Sequence, residues 1–139
     1  GAFGGMIGHI GIGAALREQV GTSASGTVLI LLAFGISSLM KISQGSTTVA
    51  LITASAIMFG VVEGMALPYH PLYLFLAIGF GGMVFSWMND SGFWIVGRMA
   101  GFDERETFQT WSLGFGLAGL VGLLQVLLAS QLLPLAGGQ

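Results

Sequence analysis

A polar island, Lys41 to Thr48 (KISQGSTT), interrupts an apolar run that begins at Thr27 (TVLILLAFGISSLM) and resumes through Val62 (VALITASAIMFGVV). A single membrane helix needs only ~20 residues, so the run is too long for one span and the island is a turn, a break or a site. Gly45 lets the backbone bend and lets another group come close. Ser46 and Thr47 carry the hydroxyls that cap the open amides of a new helix. That helix end has partial positive charge, so an anion, most simply a carboxylate, is the natural partner of the tip. Each flanking arm, about 16 residues at 1.5 Å rise, reaches ~24 Å and falls short of the ~30 Å hydrocarbon core. Two geometries fit: a re-entrant hairpin over about 27–62 with its tip at mid-membrane, or two thin spans joined at the surface. The tip is rich in hydroxyl and amide groups and has no Pro, Asp or Asn, which favours the hairpin.

The chain is 54% hydrophobic and only 7% charged over 139 residues, with a mean hydropathy of +0.88. Soluble domains carry about a quarter charged residues, so this is an all-α integral membrane chain. No ten-residue alternation of polar and apolar positions suggests a β-barrel. A net charge of −2 gives no reason to expect a nucleic-acid partner. The absence of cysteine excludes disulfides, thiolate metal sites and cysteine catalysis. Nothing calls for a cofactor or a metal. The chain opens within a Gly-rich motif and without Met, and is read as the C-terminal part of a longer polytopic protein.

Residues 1–26 form a Gly-rich lead-in, with Gly4 and Gly8 spaced for close helix packing. Gly11-Ile12-Gly13 lacks the third glycine and the preceding strand of a dinucleotide loop. His9 reads as a packed or interfacial residue. Glu63 to Pro71 (EGMALPYHP) reads as a loop in which Glu63 reaches water, His70 is an interfacial loop residue and Tyr69 joins Tyr73 in the interfacial aromatic belt. A broken helix is expected over about 72–98, with an apolar run from Leu72 to Met88, a polar interruption at Asn89-Asp90-Ser91-Gly92, and resumption at Phe93. Arg98 to Glu106 is a charged loop, with Asp103 placed to cap the last span. That span covers about 110–135, with Gly114, Ala118 and Gly122 forming a small-residue stripe. The four basic residues are too few and too evenly spread to fix orientation.

Transporters place substrate where broken helices meet, half-helix N-termini facing anionic groups. The two interruptions here are chemically complementary. Gln44, Gly45, Ser46 and Thr47 are neutral and rich in donors, suiting a carboxylate with hydroxyls; Asn89 and Ser91 flank Asp90, which suits a coupling proton or cation. Lys41 lies one helical turn before Gln44 and either adds positive charge at the tip or snorkels to the surface.

Lys41 to Ala50 (KISQGSTTVA), Asn89 to Trp94 (NDSGFW) and the opening GAFGG together resemble the C-terminal portion of the gluconate permease family. The resemblance implies a helical transporter with hairpins in the bacterial cytoplasmic membrane that carries gluconate or a related hydroxylated carboxylate with a proton. It implies that Gln44, Gly45, Ser46 and Thr47 form a substrate-hairpin tip and that Asn89 and Asp90 belong to the second break. Lys41, Ser43, Thr47 and Trp87 depart from the family's more usual Arg, Ala, Ala and His. The expected partners are substrate, proton, lipid bilayer and the rest of the parent chain, and a homo-oligomer is compatible with all of these. The competing classes are a passive channel or structural membrane subunit and, more remotely, an intramembrane hydrolase using Ser43 or Ser46 with His70 or His9. The last lacks a nucleophile elbow and an acid to orient the histidine.

Overall fold

The computed structural model describes residues 25–135, together with Met6, Gly11, Gly13, Ala15, Leu16 and Glu18. Every regular element among them is helical. They are α1 (Gly26–Gln44), α2 (Thr47–Val62), α3 (Leu72–Gly81), α4 (Ser91–Ala100) and the short α5 (Glu104–Thr107); a π-helical turn (Phe108–Ser112) then leads into α6 (Leu113–Leu132). The expectations about Gly4, Gly8 and His9 fall outside the described residues. Gly13 is helical, and a Cβ there would come within 3.0 Å of Gly60 in α2, so it packs a helix crossing.

The first two helices form the expected hairpin, with a much tighter tip. Ser25 starts α1 by accepting from the Val28 amide, and the helix runs on through the polar residues to Gln44. At 19 residues, α1 spans ~28 Å at 1.5 Å per residue. The non-helical link shrinks to Gly45 and Ser46. Gly45 takes the left-handed conformation, φ 71°, and its N–H returns to the Lys41 carbonyl. Ser46 then caps α2 by accepting from the Val49 amide.

The third helix lies chiefly against α1 and, on its other side, against α6. The shared core joins Leu29, Ile30 and Ala33 of α1, Ala54, Met58 and Val61 of α2, Leu74, Ala77 and Ile78 of α3, and Val126 of α6. Tyr69 and Tyr73 belong to this core, not to an exposed aromatic belt. Their rings meet edge to face, and their hydroxyls donate to the carbonyls of Gly26 and Leu133. Tyr69 therefore straps the start of α1 to the loop before α3, and Tyr73 straps the residue after α6 to the first turn of α3. Burial pushes the Tyr69 phenol up to about 12.

The sequence places the end of the broken helix's first half at Met88, yet α3 stops at Gly81. The reason is a set of hydroxyls on neighbouring helices. Ser37 donates to the Ile78 carbonyl, Ser38 to Gly81 and Thr47 to Gly82. These bonds supply partners for the last carbonyls of α3, so the helix can end inside the protein without orphaned acceptors. Residues 82–90 become an irregular linker in which Phe85 adopts φ 51°.

The last span also differs from expectation. Helix is continuous from Glu104 to Leu132, 29 residues, with the π turn at Phe108–Ser112 within its first third. Asp103 caps it through a full capping box with Glu106, as the charged loop suggested. Its packing stripe is Gly119, Gly122, Val126 and Ser130; Gly114 and Ala118 are exposed. A Cβ on Gly119 would lie 2.9 Å from the Phe80 carbonyl oxygen, and one on Gly122 would enter the Phe80 ring. The seam thus runs at i, i+3, i+7, i+11, facing α3. Elsewhere α6 exposes Leu117, Leu120, Leu124 and Leu128, an apolar surface for lipid or for other helices.

Two glycines in α3 separate packing from propensity. A Cβ on Gly81 would sit 2.5 Å from the Phe34 carbonyl oxygen, whereas one on Gly79 meets nothing within 4 Å. Thermal unfolding of the full-length protein in detergent is expected to show Gly81→Ala destabilised by ~1–3 kcal/mol, the usual range for overpacking. Gly79→Ala is expected to be neutral or to gain up to ~1 kcal/mol from helix propensity. Equal effects would refute the close crossing of α1 and α3.

Candidate functional site

The two polar interruptions meet. Gly45 at the hairpin tip lies directly against the backbone of Asn89, so close that a Cβ on Gly45 would come 2.1 Å from the Asn89 carbonyl oxygen. The Asn89 side-chain amide donates to the Ile42 carbonyl at 2.7 Å, and the Trp87 indole N–H reaches the same oxygen at 3.3 Å. Ile42 is in the last turn of α1, where carbonyls lack helical partners. The second break therefore caps the first helix of the hairpin.

Lys41 and Asp90 join the breaks through charge. The Lys41 ammonium lies 2.7 Å from Asp90 Oδ2, with its side chain 3% exposed and that of Asp90 15% exposed. It also donates to the Gly45 carbonyl at 3.2 Å. Lys41 does not snorkel to the surface: it turns into the protein because a carboxylate and a freed carbonyl are there to receive it. Asp90 is also the N-cap of α4, its Oδ1 accepting from the Gly92 amide at 3.0 Å. Capping and ion pairing use different oxygens, so one carboxylate does both.

Behind Asp90 stands a layer that the sequence did not flag. Ser86, buried in the linker, donates to Asp90 Oδ2 and accepts from the Trp111 indole N–H at 2.9 Å. Ser112 donates to the Ser86 carbonyl. Trp111 and Ser112 both belong to the π turn, a local widening of the helix that is frequent at functional sites. The only hint in the sequence is a single serine between Phe85 and Trp87 in an otherwise apolar run.

Of the eight positions singled out from the sequence, the structure brings together Lys41, Gly45, Asn89 and Asp90. Ser46 and Thr47 lie beside them, half-buried; Ser46 caps α2 and Thr47 donates to Gly82 on α3. Gln44 and Ser91 are exposed at the rim. Next to this polar cluster lies an open cleft of about 330 Å³ lined by Ile42, Phe85, Trp87 and Phe108. Ser43 donates back to Met40 in its own helix. His70 accepts from the Leu72 amide at the tyrosine end of the bundle, so neither Ser43 nor Ser46 is paired with it. Among the described residues no cluster of His, Cys, Asp or Glu is arranged to hold a metal.

Comparison with known proteins agrees with this architecture. A family model described as GntP family permease matches residues 1–132. The low-affinity gluconate transporter of Escherichia coli (strain K12) is 33% identical over 134 residues, 96% of this chain and 30% of that transporter. The gluconate permease of Pseudomonas aeruginosa is 34% identical over 130 residues, 94% of this chain and 26% of the permease. The Gnt-II system L-idonate transporter of Escherichia coli (strain K12) is 28% identical over 134 residues, 95% of this chain and 30% of its own length. The chain thus spans less than a third of these relatives, all named as transporters or permeases. No solved structure matches it. With helices throughout, apolar surfaces outward and a family model matching nearly from end to end, the chain belongs to the GntP family of permeases.

Proposed function

We propose that the permease containing this chain carries a small hydroxylated carboxylate, gluconate foremost, across the bacterial cytoplasmic membrane as a multi-pass protein, coupled to a proton. The observation that carries this reading is the buried Lys41–Asp90 pair at the contact between two helix breaks. Ionisable groups at membrane depth are expensive and mark ion or substrate paths. The names of the relatives supply the substrate class: gluconate for two of them and L-idonate for a third.

The substrate would sit at the rim of the cluster. There Gln44, Ser46, Thr47, Asn89 and Ser91 offer amide and hydroxyl groups beside the starts of α2 and α4. Half-helix N-termini aimed at a carboxylate are a recurrent transporter device. Asp90 would carry the coupling proton, and Lys41 would attract the substrate's charge. Irregular backbone within a membrane protein is tolerated where it lines a cavity or is buried in protein, and Gly45 is buried against Asn89. Binding alone does the work, through different affinities in two conformations.

Sugar acids should stabilise the full-length permease against heat, by ~2.7 kcal/mol at a ligand concentration one hundred times Kd. A panel that leaves the melting temperature unchanged would remove this substrate class. Gly45→Val should abolish that stabilisation, because it combines a disallowed φ with a clash against Asn89. Val49→Leu, one turn into α2, should leave most of it. In proteoliposomes, Asp90→Asn is expected to abolish uphill accumulation while retaining substrate exchange. Unchanged accumulation would take Asp90 out of the coupling step, and a flux without saturation or counterflow would identify a channel.

A further inference from the structure

We propose that Ser86 and Trp111 are positioning residues for Asp90, forming a one-way chain of donors that holds its carboxylate ionised while Lys41 is paired with it. The geometry of the chain stands by itself; only its consequence for transport rests on the function proposed above.

The direction of the chain is set by its far end. An indole N–H can only donate. Trp111 therefore makes Ser86 Oγ an acceptor at 2.9 Å, and the single Ser86 hydroxyl proton is directed to Asp90 Oδ2. The Lys41 ammonium, also without acceptor capacity, donates to the same oxygen at 2.7 Å. The Gly92 amide donates to Oδ1. All three groups facing Asp90 are thus donors. A neutral carboxyl would bring a proton of its own, and Ser86 could accept it only by turning its hydroxyl proton elsewhere. Trp111 cannot receive that proton. Protonation at Oδ2 therefore requires the contact with Lys41 or with Ser86 to open, and protonation at Oδ1 weakens the bonds of donors that favour the charged form.

The backbone reinforces this. Ser86 is 1% exposed, and Ser112 grips its carbonyl from the residue next to Trp111, so two consecutive residues of the π turn hold one serine. Phe85, immediately before it, has φ 51°, a conformation rare for a bulky residue. No other ion pair involving Asp90 is present among the described residues. On the elements around it, Arg98 is exposed in the last turn of α4, Asp103, Glu104, Arg105 and Glu106 are exposed at the α5 end, and Glu63 is exposed beyond α2. The side chains that govern the pH response of Asp90 are therefore Lys41, Ser86 and, through Ser86, Trp111, with the Gly92 amide as the backbone donor.

The test is pH-difference infrared spectroscopy on the full-length permease in membranes. The protonated-carboxyl band of Asp90 is identified by its loss in Asp90→Asn. Removing a donor that favours the charged form must make protonation easier, so half-protonation moves to higher pH. Ser86→Ala is expected to raise that midpoint by about one pH unit. Trp111→Phe is expected to raise it less, and Ser86→Thr, which keeps the hydroxyl, to restore it. Trp111→Phe keeps an aromatic ring beside Phe115, whose centroid lies 4.2 Å away, and decides the matter even where Ser86→Ala does not fold. Unmoved midpoints in the variants that fold would overturn the proposal. The pH dependence of uptake is expected to shift in the same order. A shift in the infrared midpoint without one in uptake would uphold the positioning role and defeat Asp90 as the coupling residue.

Discussion

A lysine and an aspartate share a nearly dry site at 2.7 Å, and much of the surrounding structure follows from keeping them together. Removing one partner of a buried pair leaves an uncompensated charge, at a cost of ~3–5 kcal/mol. Each charge also has a helix end that suits it. Lys41 is in the last turn of α1, where the macrodipole is negative, and Asp90 caps the first turn of α4, where it is positive. Bringing the pair together therefore brings a helix C-terminus to a helix N-terminus. That is why the tip of the hairpin and the second break lie backbone to backbone, with Gly45 against Asn89.

Breaking helices in an apolar interior is expensive unless the freed groups find partners. Here the partners come from hydroxyls and amides placed on other elements. Ser37, Ser38 and Thr47 serve the end of α3; Asn89 and Trp87 serve the end of α1. Among the described residues no buried side-chain polar atom is left without a hydrogen bond. The close packing that makes those bonds reachable depends on small residues, Gly81 under Phe34 and Gly119 and Gly122 under Phe80. Small residues at crossings and hydroxyls at breaks are two parts of one solution.

Much of this was legible from local chemistry. Gly45, Ser46 and Asp103 announce a bend and two caps through side chains that act within three or four residues of themselves. The apolar arms and the last span follow from length and hydropathy. What was hidden depends on partners far along the chain. The end of α3 at Gly81 is decided by Ser37 and Thr47, some 35 to 41 residues earlier. The direction of the Lys41 side chain is decided by Asp90, 49 residues away, which receives it. The stripe on α6 was expected at Gly114, Ala118 and Gly122 from spacing alone, but the face of a uniformly apolar helix is chosen by its neighbour, and Phe80 selects Gly119 and Gly122. Tyr69 and Tyr73 match the composition of an interfacial belt, and only their bonds to Gly26 and Leu133 show that they are internal straps.

The polarity of the site bears on how a carrier of this kind could work. Asp90 is surrounded by donors, and Lys41 has two acceptors, Asp90 and the Gly45 carbonyl. Neither charge can be exposed cheaply to an apolar medium, so any rearrangement must exchange one partner for another of like charge. On the transport reading, a substrate carboxylate is such a partner for Lys41, and a proton is the corresponding one for Asp90. Each entering alone would leave a bare charge behind; entering together they leave none. On the function proposed above, coupling would need no long-range signal: the energy of isolating a charge at low dielectric would itself be the penalty on carrying one without the other.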